Sequence, residues 1–173
     1  MLIIKPLEPS HDRKAFDCGI PVLNDFLYKT ARQHREKGLS NTFVLLNENN
    51  PQEILGFFTL SFLEVDAAVL PGEYSRRLPK SSRLPAAKLA RLAVDKRQQG
   101  KGYGNLLVAE AVRRIITAIN TSGGITGFFV DAKDEHAKRF YLRYGFISLQ
   151  DTPLTLFLPL KTLLMGMEKL TAG

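Results

Sequence analysis

Residues 97–107 of the chain read RQQGKGYGNLL, with glycine at every second position from Gly100 to Gly104. Glycine loses more backbone freedom on folding than any other residue, so three at alternate positions need a conformational reason. Before them, residues 86–95 (AAKLARLAVD) form an apolar run of strand length that reads as a central strand. After them, Val108, Val112, Ile115, Ile116 and Ile119 recur at helical spacing up to about Asn120, with Arg113 and Arg114 facing outward. Strand, glycine loop and helix in that order commit this part of the chain to an α/β unit.

The flanking segments extend the same pattern. Residues 2–6 read as a short strand ending at Pro6. Pro21 stands where a helix can begin, and Val22, Leu23, Phe26, Leu27 and Ala31 carry that helix toward Gly38. Residues 42–46 and 54–65 read as a hairpin around the turn NENNPQ. Pro71, Pro79 and Pro85, with Arg76, Arg77, Lys80 and Arg83 between them, mark a surface loop with room for a short helix. Residues 125–132 form another buried strand, residues 134–144 a short helix stopped by Gly145, and residues 146–149 and 154–160 two final strands. The expectation is an α/β fold: a mixed central sheet of about six to seven strands flanked by helices. A chain of 173 residues fits a single domain spanning 1–173.

The glycines have a chemical reading. Without Cβ, a glycine amide can approach a ligand closely and adopt positive φ. A helix N-terminus adds unpaired N–H groups and a partial positive charge. Together they form an anion cradle whose usual occupant is a phosphate or pyrophosphate, with Arg97 and Lys101 adding charge at the rim. The stretch is not a Walker A loop, because GxxxxGK[ST] is absent. It is also a poor dinucleotide fingerprint, because GKGYGN departs from GxGxxG.

Composition narrows the setting. Lys and Arg total 24 against 17 Asp and Glu, a formal charge of +7 that suits a polyanionic partner. Ordinary solvated surface charge is the other reading. The single cysteine, Cys18, excludes an internal disulfide and any all-cysteine metal site. No stretch has the length of a membrane-spanning helix and no secretory h-region opens the chain. A cytoplasmic protein with no metal and no membrane contact is the expectation.

RQQGKG, residues 97–102, resembles the R/Q-x-x-G-x-G/A motif of the GCN5-related N-acetyltransferases (GNAT). EHAKRFYLRYGF, residues 135–146, resembles the family's A-x-x-F-Y-x-x-x-G-F segment, and the two occur in the family's order. Over residues 16–160 the chain further resembles the acetyltransferase toxins of bacterial toxin–antitoxin pairs, through FDCGIPVLNDFLYKTARQH, GFFTLS, LPAAKLARLAVDKRQQGKGYG and LFLPL. The resemblance implies the GNAT fold and acetyl-coenzyme A as cosubstrate. It also implies transfer of acetyl to the α-amine of aminoacyl-tRNA, and a small ribbon-helix-helix antitoxin as partner. A homodimer is left open.

The same resemblance assigns residues. Loop positions Arg97, Gln98, Gln99, Gly100, Lys101, Gly102, Tyr103, Gly104 and Asn105 would hold the pyrophosphate, and the backbone of Leu92, Ala93 and Val94 would pair with the pantetheine arm as an added strand. Tyr141 matches the family tyrosine that protonates the coenzyme A sulfur, and Tyr144 is the alternative phenol. Arg77, Lys80, Arg83 and Arg91 are the basic residues assigned to the acceptor RNA.

No protein base stands out. His11, His34 and His136 are scattered, and Glu64 and Asp66 read as strand-end carboxylates. A lysine side chain is only about 0.04 % neutral at pH 7, whereas an α-amine is more than about 10 % neutral, so an α-amine acceptor needs less help. Two alternatives stay open: an acetyltransferase acting on a small-molecule or protein amine, and a non-catalytic module that binds nucleic acid or an antitoxin.

Overall fold

The computed structural model describes residues 1–79 and 82–165. Its strands are β1 (Leu2–Pro6), β2 (Asn41–Asn47), β3 (Gly56–Asp66), β4 (Arg83–Val94), β5 (Gly127–Asp131), β6 (Ile147–Ser148) and β7 (Thr155–Pro159). They form a mixed seven-stranded sheet in the order β1-β2-β3-β4-β5-β7-β6. Helices α1 (Pro21–Asp25), α2 (Ala31–Glu36), α3 (Gly72–Ser75), α4 (Tyr103–Ser122) and α5 (Glu135–Leu142) flank it. This is the α/β arrangement expected from the sequence. The chain divides into two compact units, residues 1–61 with 90–112 and residues 62–89 with 113–173, so β3, β4 and α4 each contribute to both.

In the first unit, β1, β2 and β3 form an antiparallel meander with Phe43 opposite Phe58. One face buries Phe16, Phe26, Leu27, Val44, Phe57 and Ala93 in a single cluster. The helix expected from Pro21 to Gly38 is interrupted. A π-helical turn over Phe26–Thr30 separates α1 from α2. Phe26 and Ala31 stand five residues apart, so on a regular helix of 3.6 residues per turn they would diverge. The wider turn lets both reach the core, where they are 5 % and 1 % exposed.

In the second unit, β4 pairs parallel with β5 over Ala87–Leu89, and β5 pairs antiparallel with β7. Its core gathers Leu84, Ala86, Phe129, Leu149 and Phe157. Gly127 is required by contact: a Cβ there would land on the Phe157 ring. The proline-rich segment is less of a free loop than its composition suggests. Tyr74 of α3 sets its ring edge-on to Phe157 at 5.5 Å, and Leu78 packs on the same cluster.

The buried stripe of α4 also differs in detail. Leu107, Val108, Ala111, Ile115 and Ile116 are buried, whereas Val112 and Ile119 are only half-buried.

Candidate active site

The glycine loop lies in the first unit, between the end of β4 and the start of α4. Gly100 and Gly102 both have φ of 82°, the left-handed region that favours glycine. A Cβ at either position would meet no atom within 4 Å, so the glycines answer to backbone conformation and leave open space beside them. Gly104 is the second residue of α4 and belongs to its first turn. That turn carries no acidic residue, so the helix itself places no carboxylate against the partial positive charge there. An open cradle of this kind fits a pyrophosphate.

The loop cations are not equivalent. The Arg97 guanidinium is held by Asp95, with Nε donating to Oδ1 at 3.0 Å and Nη2 to Oδ2 at 3.2 Å. It also lies 3.8 Å from Glu53. Lys96 pairs with Asp17 at 2.9 Å. Lys101 is exposed and donates to the neutral Gln98 Oε1 at 2.8 Å. Of the two cations read at the rim, Arg97 is therefore already neutralised and Lys101 retains its charge.

Aspartate 95 is the residue that sequence reasoning missed. It is 1 % exposed. Burial pushes its carboxyl up, but hydrogen bonds from the Arg97 side chain and from the Arg97 and Asp17 amides outweigh it and hold the group below the ordinary carboxylate range. The only sequence signal was a carboxylate ending an apolar run, where burial without a partner is costly.

Beyond the Ala87–Leu89 ladder with β5, β4 continues to Val94. The three backbone positions assigned to pantetheine differ there. A Cβ on Gly56 would lie 3.0 Å from the Ala93 carbonyl oxygen, so that carbonyl faces β3. The Val94 carbonyl accepts from Gln99 Nε2 at 3.0 Å. Leu92 is half-buried on the same strand.

Tyr141 lies on α5 in the second unit. Asp134 caps that helix, accepting from the Ala137 amide at 2.8 Å, and Gly145, with φ of 92°, follows its end. The Tyr141 ring is 7 % exposed and meets Phe140 and Phe146 edge-on at 5.2 and 5.7 Å. Its hydroxyl makes no hydrogen bond to a described residue, yet no described buried side-chain oxygen or nitrogen lacks a partner. The hydroxyl therefore keeps an opening to its surroundings. Burial, with Tyr144 nearby, raises its pKa far above the ordinary phenol value. It stays protonated near neutrality and has a proton to give.

The basic residues fall in different places. Arg77 is exposed and makes no ion pair with a described residue, and Arg83 lies 3.8 Å from Glu64. Both belong to the second unit, and Lys80 lies outside the described residues. Arg91 belongs to the first unit, where its guanidinium stacks 3.7 Å from the Phe26 ring centre. The residues considered as bases are engaged or exposed. Asp66 caps the Ala68 amide at 2.9 Å and His11 Nδ1 accepts from the Glu8 amide at 2.9 Å. His34 meets Ser40 at 3.1 Å, and His136 is exposed. Among the described residues, no group of three His, Cys, Asp or Glu could hold a metal, and no helix is long and apolar enough to cross a membrane.

Residues 38–148 match the family model described as an acetyltransferase (GNAT) domain. The chain belongs to the GNAT acetyltransferase family. It is 33 % identical to a probable toxin TacT of Sinorhizobium fredii over 174 residues, 95 % of each chain. It is 32 % identical to a tRNA-acetylating toxin of Mycobacterium tuberculosis over 155 residues, 90 % of each. Among solved structures, AtaT complexed with acetyl-methionyl-tRNAfMet aligns with a TM-score of 0.86 at 34 % identity, covering 96 % of this chain and 99 % of that one. A tyrosine-to-phenylalanine variant of AtaT, bound to the C-terminus of the antitoxin AtaR and to acetyl-CoA, aligns with a TM-score of 0.76 at 32 % identity, covering 94 % and 96 %. As a GNAT enzyme the chain uses acetyl-coenzyme A, and the open glycine cradle is the part of this structure that suits its pyrophosphate.

Proposed function

We propose that this chain is a toxin that acetylates the α-amine of an aminoacyl-tRNA and so blocks translation. An acetylated α-amine cannot attack the next peptidyl ester. The observation that carries the reading is the match to a tRNA-acetylating toxin over 90 % of both chains. The +7 charge adds support, because a polyanionic acceptor gains affinity from it. The chain acts in this reading as one N-acetyltransferase domain in the cytoplasm, where charged tRNA is found, and a ribbon-helix-helix antitoxin restrains it.

Acetyl-coenzyme A supplies the activated acetyl group as a thioester. The amides of Gln99, Gly100, Lys101, Gly102, Tyr103, Gly104 and Asn105 hold the pyrophosphate at the mouth of α4, whereas the Gln98 amide is already given to the Asp95 carbonyl at 2.8 Å and only shapes the turn. The backbone of Leu92 to Val94 lines the pantetheine arm, with the Ala93 carbonyl turned toward β3 and the Val94 carbonyl engaged by Gln99. Arg97 shapes the loop through Asp95. Tyr141 offers its proton at Oη to the departing sulfur, and its raised pKa keeps that proton available. The acceptor needs little basic assistance, because an α-amine is partly neutral near pH 7. Arg77, Lys80, Arg83 and Arg91 hold the RNA.

The test is incubation with labelled acetyl-coenzyme A and total charged tRNA, beside uncharged tRNA, free amino acids, a polyamine and a peptide. Label is expected in charged tRNA alone and should leave with the amino acid on alkaline hydrolysis of the ester. Efficient labelling of the polyamine or peptide, with none in tRNA, would replace this reading with a small-molecule or protein acceptor. Arg77→Ala should reduce the salt slope of tRNA binding by about 1, as expected for one lost phosphate contact. Arg83→Ala should change it less, because Glu64 already engages that guanidinium.

A further inference from the structure

A carboxylate at the base of an anion site is electrostatically unfavourable, because it repels the phosphate the site must attract. Asp95 stands in that position. It directly follows β4, two residues before the first loop residue assigned to the cofactor. Four donors converge on its two oxygens. The Arg97 amide and Nε reach Oδ1 at 2.9 and 3.0 Å, and Arg97 Nη2 and the Asp17 amide reach Oδ2, both at 3.2 Å. Its own amide donates to the Leu55 carbonyl at 2.9 Å, and its carbonyl accepts from the Gln98 amide at 2.8 Å. The backbone on either side of the carboxylate is thus anchored to the sheet and turned into the loop.

Asp17 repeats the pattern from the neighbouring segment. Its carbonyl accepts from the Lys96 amide at 2.8 Å, and its carboxylate accepts from Gly19 and Asn24 at 2.8 and 2.9 Å. Gln99 closes the circuit by donating to the Cys18 carbonyl at 3.3 Å and to Val94 at 3.0 Å. Each loop residue from Lys96 to Gln99 is therefore held by at least one polar contact that passes through Asp95, Asp17 or the end of β4.

We propose that Asp95 is the positioning residue of the cofactor loop: it neutralises Arg97 and sets residues 97–99 so that the following amides point into the pyrophosphate site. The proposal rests on the acetyl-coenzyme A reading of that loop. It makes a prediction of unusual sign. If Asp95 acted on the cofactor only through its charge, Asp95→Asn would remove a repulsion, release Arg97 toward the phosphates and tighten binding. As a positioning residue, its replacement frees the loop, and the ordering cost is then charged to every binding event.

Calorimetric titration of the full chain with coenzyme A, together with steady-state kinetics, tests this. Asp95→Asn should weaken coenzyme A binding by about tenfold or more and raise the KM for acetyl-coenzyme A in step, with kcat within about twofold of wild type. Arg97→Ala should weaken binding similarly, Arg97→Lys less, and the double variant Asp95→Asn/Arg97→Ala no further than the weaker single, because the two act as a unit. Should Asp95→Asn fail to fold, the Arg97 pair carries the same test: a tighter-binding or unchanged Arg97→Ala overturns the proposal. Unchanged or tighter binding by folded Asp95→Asn overturns it too, as does equal loss of kcat and affinity. Failure of wild type to bind coenzyme A at all would instead overturn the cofactor reading of the loop, and this proposal with it.

Discussion

The two parts of the catalytic machinery we propose are held by opposite means. The glycine loop is fixed by polar contacts: the Asp95 carboxylate accepts four hydrogen bonds, and Asp17 and Gln99 tie the same turn to the segment before α1. Tyr141 is fixed by rings: Phe140 and Phe146 grip it edge-on, while its hydroxyl makes no bond to a described residue. The difference suits the work proposed for each. A cradle binds through backbone amides, so the backbone must be pinned, and hydrogen bonds are directional enough to pin it. A proton donor must keep its hydroxyl uncommitted, so only its apolar ring can be used to hold it.

That contrast can be broken at either end. The largest effect is expected at the cradle. Gly102→Asp puts an L side chain at a φ of 82° and a negative charge at the mouth of α4. Coenzyme A binding should fall below detection in calorimetry, while the melting temperature drops by a few degrees, because the space beside Gly102 is open but an L residue is strained at that φ. Unchanged affinity in the folded variant would show that the pyrophosphate lies elsewhere.

Tyr141→Phe comes next. It keeps both ring contacts and removes only the hydroxyl. Acetyl transfer should slow by roughly 10²-fold or more, with coenzyme A affinity within about twofold of wild type. Because burial already holds the phenol protonated, wild-type activity should show no loss from Tyr141 ionisation between neutral pH and the ordinary phenol range. Full turnover in the variant would transfer the donor role to Tyr144 or to water.

Acid sharpens the comparison with a smaller effect. The Asp17 carboxyl is lowered to about 2, first by its contact with Lys96 and then by the Gly19 and Asn24 hydrogen bonds, and that of Asp95 is also lowered. A carboxyl depressed in the folded state contributes stability above its unfolded pKa and loses it as pH falls through its folded one. Wild-type stability should therefore decline below about pH 4. Asp17→Asn should flatten part of that decline, whereas Tyr141→Phe should leave the acid limb unchanged. An acid limb identical in wild type and Asp17→Asn would show that the loop network adds no pH-dependent stability.

The strand–glycine–helix order was legible because it rests on local rules. Gly100 and Gly102 sit at positive φ as residues with no Cβ can, and Gly145 follows α5 as expected of a helix stop. Tyr141 could be assigned because its neighbours spelled a family motif, and no periodicity would have separated it from an ordinary core tyrosine. The interruption of the helix after Pro21 was not legible. Its cause is the demand that Phe26 and Ala31 share a core, and that demand comes from Phe57 and Ala93, far along the chain.

Sequence by itself determined the α/β order, the glycine loop between a strand and a helix, and the family to which the motifs point; the structure separated Gly100 and Gly102, at positive φ, from Gly104 inside α4. Only the tertiary structure decided the state of the charges. Arg97 and Lys101 are equivalent cations in the sequence, yet one is spent on a buried carboxylate and the other is not. Periodicity records which side chains avoid water, a property of each residue and its near neighbours. Whether a charge is free depends on what the fold brings within about 4 Å of it. For Arg97 and Asp17 those partners are Asp95 at the end of β4 and, from the other side, Lys96 beside it.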